Sequence, residues 1–198
     1  EWSARPLPTA TEMSGEYCRL ELLNLEAHAD DLFAAHNSVD APENWTYIPV
    51  GPFETKESFV EWVVAATSQS DPRHYAVIDN STNKAVGSLS LMRHDPSNGV
   101  IEVGFVLFSP LLQRTRASTE AQYLLMKYAF EDLGYLRYEW KCDSLNEPSQ
   151  ITAKRLGFSY EGTFRNHLVY KWRNRDTAWF SITESEWPEV KKAFTSWL

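Results

Sequence analysis

The chain is 198 residues long, 43% hydrophobic and 14% aromatic, enough to bury a core and to argue against a disordered or fibrous protein. Its 27 acidic residues outnumber 19 basic ones, giving a formal charge of −8; a phosphate backbone selects a basic face, so nucleic-acid binding is disfavoured. Cys18 and Cys142 stand far apart in apolar settings, which argues against a disulfide framework and for a reducing, cytoplasmic compartment.

The opening EWSARPLPTATEMSGEY lacks the apolar centre of a signal peptide, and no apolar run reaches membrane-spanning length. Residues 1–16 read as an arm, with homodimer packing one use for it, and residues 17–198 as one domain. Residues 17–25 alternate as a first strand, and residues 26–36 form a helix with Ala29, Leu32, Phe33 and His36 at helical spacing. The segment NWTYIPVGPF is irregular because Pro49 and Pro52 exclude helix. A second helix runs from the N-cap Thr55 through Ala66, with Phe59, Trp62 and Val63 on one face.

From Tyr75 the texture becomes an antiparallel meander: YAVID, the turn NSTNK, AVGSLSLMR, the turn HDPSNG, and VIEVGFVLF. A helix then carries the stripe Ala121, Leu124, Leu125, Tyr128 and Ala129 and stops at Gly134. The strand RYEWKCD, a short helix from Pro148 to Gly157, and a strand pair around TFRNHLVYKW and DTAWFSI follow, with RNRD as the expected turn. The fold class is mixed α/β: a mostly antiparallel central sheet with helices on both faces.

Gln113, Arg114, Thr115, Arg116, Ala117, Ser118 and Thr119 form a loop between VGFVLF and the helix expected to open at Thr119. A helix N-terminus presents unpaired N–H groups and a positive dipole end, so such a loop can cradle a phosphate, with arginines adding charge. A solvated basic loop with a serine cap has the same composition. The order of elements favours the cradle. I-E-V-G at Ile101–Gly104, the Gln113 loop, and N-E-P-S…L-G-F-S-Y-E-G from Asn146 to Gly162 together resemble the GNAT superfamily of acyl-CoA-dependent N-acetyltransferases, in its RimJ/RimL-type branch. The pyrophosphate loop of that superfamily reads Q/R-x-x-G-x-G/A, whereas here Arg116 and Ser118 replace the small residues.

The resemblance implies acetyl-CoA as donor, with coenzyme A released, and direct attack by a primary amine. It implies that the backbone of Val106, Leu107 and Phe108 pairs with the pantetheine like an added strand. Asn146 matches an asparagine that hydrogen-bonds the pantetheine arm, and Ser149 a hydroxyl that can protonate the leaving thiolate; both could equally cap the helix at Pro148. Amine attack needs a base. Glu102, mid-strand among apolar neighbours, is the first candidate, and its alternative is a solvent-facing strand position. His167 is the runner-up, with a structural strand histidine as its alternative.

The resemblance also implies an acceptor site built by the region after the first helix and the last strand pair: here Trp45, Tyr47 and Phe53, with Tyr170, Trp172 and Trp179 on the other side and Glu102 and His167 as further acceptor-binding candidates. Each aromatic could instead be plain core. Lys171, Arg173 and Arg175 add a basic spot suited to an acceptor carboxylate. No histidine spacing suggests a metal site. The expected acceptor is a small amine or amino-acid-like molecule. The alternatives are a protein N-terminal amine, as in ribosomal-protein acetylation, and a non-catalytic acyl-CoA-binding or protein-interaction module.

Overall fold

The computed structural model describes residues 2–40 and 42–198. In chain order the elements are β1 (Glu12–Ser14), β2 (Cys18–Leu22), α1 (Leu25–His36), a 3-10 turn (Pro42–Trp45), α2 (Lys56–Thr67), β3 (Arg73–Asp79), β4 (Lys84–Asp95) and β5 (Val100–Phe108). Then come α3 (Arg116–Lys127), continued by a π-turn (Tyr128–Asp132), β6 (Arg137–Asp143), α4 (Glu147–Arg155), β7 (Ser159–Tyr170), β8 (Arg173–Thr183) and α5 (Trp187–Trp197). The eight strands form one sheet in the order β1-β2-β3-β4-β5-β6-β8-β7. Hairpin neighbours are antiparallel, while β5 and β6, joined through α3, are parallel.

Helices cover both faces, as the mixed α/β reading expects. On one side α1 and α2 bury Leu32, Phe59 and Val63 against Ala76, Ile78 and Ala85. On the other, Leu125 and Ala129 of the α3 stripe pack with Tyr138, Phe180 and Ile182 in the larger core. Tyr123 of α3 also stacks on Trp187 and meets Phe194 of α5 at a tilt. Alternation places one set of strand residues in this core and leaves the opposite set, Glu102, Glu139, Lys141 and Trp179, on the far face.

Residues 12–14, expected within the arm, are the edge strand of the sheet. The segment before them lies along its own chain: Arg5 N donates to Pro96 O at 2.9 Å, and Tyr128 Oη accepts from the N–H groups of Thr9 and Ala10 at 2.9 Å each. A single buried carboxylate, Glu120 on α3, accepts the backbone N–H groups of Glu16, Tyr17 and Cys18 at 2.8, 2.7 and 2.8 Å. Gly15 is needed beside it, since a Cβ there would collide with that carboxylate.

Two details correct the sequence reading of the C-terminal half. The β7–β8 turn is Lys171-Trp172 rather than RNRD, and both residues have positive φ, 45° and 63°, as a two-residue hairpin requires. The turn lacks glycine or asparagine; distant contacts hold it, with Lys171 Nζ donating to Trp45 O at 2.8 Å and Arg173 to Thr46 O at 2.7 Å. The chain also continues past the last strand into α5, where Pro188 occupies the first turn.

Candidate active site

The cleft originates in strand pairing. Parallel β5–β6 pairing runs from Val100↔Arg137 to Val103↔Trp140 and stops there. Beyond that point β5 stays with β4 as far as Gly87↔Phe108, and β6 stays with β8 as far as Asp143↔Thr177, so the two strands part. A bulge in β5 at Phe105, with φ 46°, marks the divergence. Gly104 fits there because Met92 fills the space a Cβ would need. The opening is a cleft of about 770 Å³, bounded by Val103–Val106 on one arm and Trp140–Asp143 on the other.

One half of the cleft is built from helix ends, their caps and a strand edge. The helix α3 begins at Arg116 and not at Thr119, because Thr115 is the N-cap: its Oγ1 accepts Ser118 N at 3.1 Å. Gln113, Arg114, Thr115, Ser118 and Thr119 line the cleft. Arg114, with φ 61°, takes the left-handed conformation that turns the chain into the helix. Arg116 is already helical, so the position where the family places a glycine does not demand one here. Its guanidinium points elsewhere, donating to Tyr17 Oη at 2.7 Å, and Ala117 packs in the core; neither lines the cleft. Val106 and Phe108 line it, while the Leu107 side chain turns into the interior, leaving that residue its backbone alone to offer. Asn146 is the N-cap of α4, accepting Ser149 N at 3.2 Å, and both residues line the cleft.

Three lining residues in this half escaped the sequence reading. Arg155 lies in the last turn of α4, where a cation ordinarily serves the helix dipole, and donates to Thr119 Oγ1 at 3.3 Å. Trp140 Nε1 donates to Ser149 Oγ at 3.0 Å. Gln122 is 2% exposed, and neither its Nε2 nor its Oε1 has a partner among the described residues. Its spacing from Ser118 and Leu125 puts it on the buried side of α3, a polar residue where the stripe calls for an apolar one.

The other half is built from side chains that converge from five strands. Glu102 is buried, its Oε2 accepting from Lys141 Nζ at 2.7 Å and lying 3.4 Å from Arg93 Nε. Burial pushes its carboxyl above the usual range, opposed by Lys141 and Arg93. Lys141 also pairs with Glu139 at 2.7 Å and sits 3.9 Å over the Trp179 ring. The alternating charges of RYEWKCD were the available signal for this cluster. His167 reaches the cleft beside a bulge in β7, where Asn166 has φ 49° and its N–H donates to Asp176 Oδ1 at 2.7 Å. Asp176, expected in the turn, therefore braces the bulge. His167 Nδ1 lies 2.9 Å from Thr177 Oγ1. Burial, then the nearby Arg93, Arg175 and Lys141, hold its imidazole below the ordinary value.

Tyr47 and Tyr170 line the cleft, with Tyr47 Oη donating to Leu145 O at 3.0 Å and Tyr170 Oη to Asp143 Oδ2 at 2.8 Å. Arg175 of the expected basic spot lines it too, whereas Trp45, Phe53, Trp172 and Trp179 do not. Trp45 and Phe53 meet edge to face, centroids 5.5 Å apart, in a cluster with Phe59 and Trp62 of the following helix α2. Trp172 is fully exposed at the hairpin tip because its turn lies beyond the end of β6. Cys142 lines the cleft, but burial pushes its thiol up, against a nucleophilic role. Among the described residues no cluster of His, Cys, Asp or Glu could hold a metal ion.

The family described as "Acetyltransferase (GNAT) domain" matches residues 19–159. A solved GCN5-related N-acetyltransferase from Brucella melitensis is 48% identical, with a TM-score of 0.97 over 99% of this chain and 89% of that one. An uncharacterised N-acetyltransferase, p20, from Bacillus licheniformis is 26% identical over 172 residues, 85% of this chain and 95% of the relative. The fold also matches the microcin C7 self-immunity acetyltransferase MccE, solved in complex with acetyl-CoA and AMP, at 19% identity and a TM-score of 0.72 over 85% and 93% of the two chains. The chain belongs to the GNAT acetyltransferases and is an acyltransferase with acetyl-CoA as its donor.

Proposed function

We propose that the protein transfers the acetyl group to the amine of a small, amino-acid-like molecule, by direct attack and in the manner of the RimJ/RimL-type branch. The observation that carries this reading is the roof over the acceptor half. Asn44, Tyr47, Ile48 and Pro49 line the cleft, and their segment is tied across it by Tyr47 to Leu145 and from the β7–β8 hairpin by Lys171 and Arg173. A cleft covered on this side suits a small acceptor better than a polypeptide end. The free, buried Cys18 and Cys142 support a cytoplasmic setting.

The lining fits the donor. Gln122 needs both an acceptor and a donor from outside the protein, and a pantetheine arm carries both in its amides. The first-turn N–H groups of α3, Arg114 and Arg155 would hold the pyrophosphate. The edge of β5 at Val106–Phe108, beyond its pairing with β6, would hydrogen-bond the pantetheine, with Asn146 on the opposite arm. When bound, acetyl-CoA supplies a thioester carbonyl open to attack by an amine.

Glu102 attracts the acceptor ammonium and takes its proton at Oε1, the oxygen that neither Lys141 nor Arg93 occupies. His167, hemmed by three cations, resists protonation and serves better as a neutral hydrogen-bonding group. The Trp140 indole N–H fixes Ser149 Oγ, leaving the hydroxyl proton to point at a departing thiolate. The products are the N-acetylated amine and coenzyme A.

The test is thiol release from acetyl-CoA across a panel of free amines and N-terminal peptides, with calorimetric titration of acetyl-CoA alongside. Turnover with small amines is expected. Turnover confined to peptides would replace the small acceptor by a protein N-terminus, and acetyl-CoA binding with no turnover on either panel would support a non-catalytic module.

A further inference from the structure

We infer that the acceptor amine carries an anionic group, a carboxylate or a phosphate, and that Arg175 is its anchor. The inference rests on the small-amine reading above and narrows it.

The cations around the cleft are not equivalent. Lys141 lies between two carboxylates, Glu102 and Glu139, and Arg93 leans on Glu102. Two basic residues of the β7–β8 hairpin, Lys171 and Arg173, are occupied by the carbonyls of Trp45 and Thr46. Arg175 differs from all of these. It is half-buried and lines the cleft, its Nε is shielded from solvent with no hydrogen-bond partner, and among the described residues no carboxylate lies within ion-pair distance of it. A guanidinium donor taken out of water without an acceptor is costly, and the ordinary remedy is an anion.

Its placement suits an acceptor. Arg175 pairs with Leu168 across the β7–β8 ladder and lies two residues before Thr177, the partner of His167. It therefore borders the same half of the cleft as Glu102. An amine that presents its ammonium to Glu102 and its negative group to Arg175 matches both ends of that half, whereas a neutral-tailed amine leaves the Arg175 guanidinium with only the Tyr170 ring, 5.8 Å away, and its Nε without an acceptor.

The experiment compares matched acceptors with the full chain: α-amino acids against their primary amides, and O-phosphoethanolamine against ethanolamine, by initial rates of thiol release. The wild type should prefer one anionic series over its neutral counterpart by about tenfold or more in kcat/KM, the worth of a charge-assisted hydrogen bond in a desolvated site. The series that shows the preference separates carboxylate from phosphate. Arg175→Gln should collapse the ratio to within about twofold, while Arg175→Lys keeps part of it and both variants melt like wild type. Equal rates for anionic and neutral acceptors, or a ratio that survives Arg175→Gln, overturns the anchor while leaving the transferase reading intact. A raised KM for acetyl-CoA with the ratio unchanged assigns Arg175 to the donor and overturns it as well. Thiol release with peptides alone removes the small-amine reading and the anchor together.

Discussion

The halves of the cleft proposed to take the donor and the acceptor share one opening but are made differently. The donor half uses backbone and caps: the first turn of α3 behind Thr115, the edge of β5, and the Asn146 cap of α4. The acceptor half uses charged and aromatic side chains delivered by distant segments, such as Tyr47 reaching Leu145 across 98 residues and Lys171 reaching Trp45 across 126. A site built from helix ends tolerates substitution, which is how Arg116 and Ser118 stand where the family places small residues. A site built from converging side chains has no such slack, and acceptor specificity is expected to reside there.

Variants that strike one half and spare the other sharpen this contrast. Trp45→Ala removes a buried aromatic from the cluster with His36 and Phe53 and should cost about 3–5 kcal/mol of stability. It should also raise the acceptor KM by loosening the roof, with the acetyl-CoA Kd little changed; denaturant melts and separate titrations read the two effects. The double variant Arg114→Ala/Arg155→Ala should weaken acetyl-CoA binding by about tenfold or more, whereas Arg116→Ala stays within about twofold, by calorimetry. If Arg116→Ala proves the more damaging, the division drawn at Thr115 is wrong.

Gln122→Leu should separate stability from function. Replacing a buried amide that has no partners should leave the melting temperature equal or higher, while acetyl-CoA affinity falls severalfold. A lower melting temperature with unchanged affinity would mean that Gln122 serves the core.

The smallest effect lies outside the cleft. The Arg137 guanidinium holds the Glu161 carboxyl down at about 2 from its ordinary 4.5. A depressed carboxylate contributes stability above its unfolded value and loses it as pH falls from 4.5 through about 2. The pair is partly solvent-screened, so Glu161→Gln should flatten the acid limb of stability against pH only slightly.

The same contrast explains what could be read from the amino-acid order. The meander, the α3 stripe and the caps Thr55 and Asn146 follow from local spacing, and all are present in the fold. The start of α3 was displaced because Thr115 and Ser118 can both cap, and only the hydrogen bond to Ser118 N distinguishes them. The Lys171-Trp172 turn was hidden because distant carbonyls hold it in place of turn-forming residues. Trp45, Phe53 and Trp172 entered the acceptor site because they are aromatic and lie in the segments where the resembling family builds it; burial sends the first two to an aromatic cluster and the hairpin sends the third to solvent. Arg175 was legible as part of the basic segment KWRNRD, but Arg93 and Lys141 were not legible as site residues because the bulges and the strand divergence that bring them together depend on pairing across the sheet.

The most direct test of the division is Glu102→Gln, measured for both acetyl-CoA affinity and turnover across pH. The account predicts a Kd within about twofold of wild type and a kcat lower by about 10²–10⁴. It also predicts loss of the acidic limb of kcat/KM, which in the wild type lies above the ordinary carboxylate range because burial raises Glu102. Turnover close to wild type with the acidic limb intact would contradict it and remove Glu102 from the chemistry.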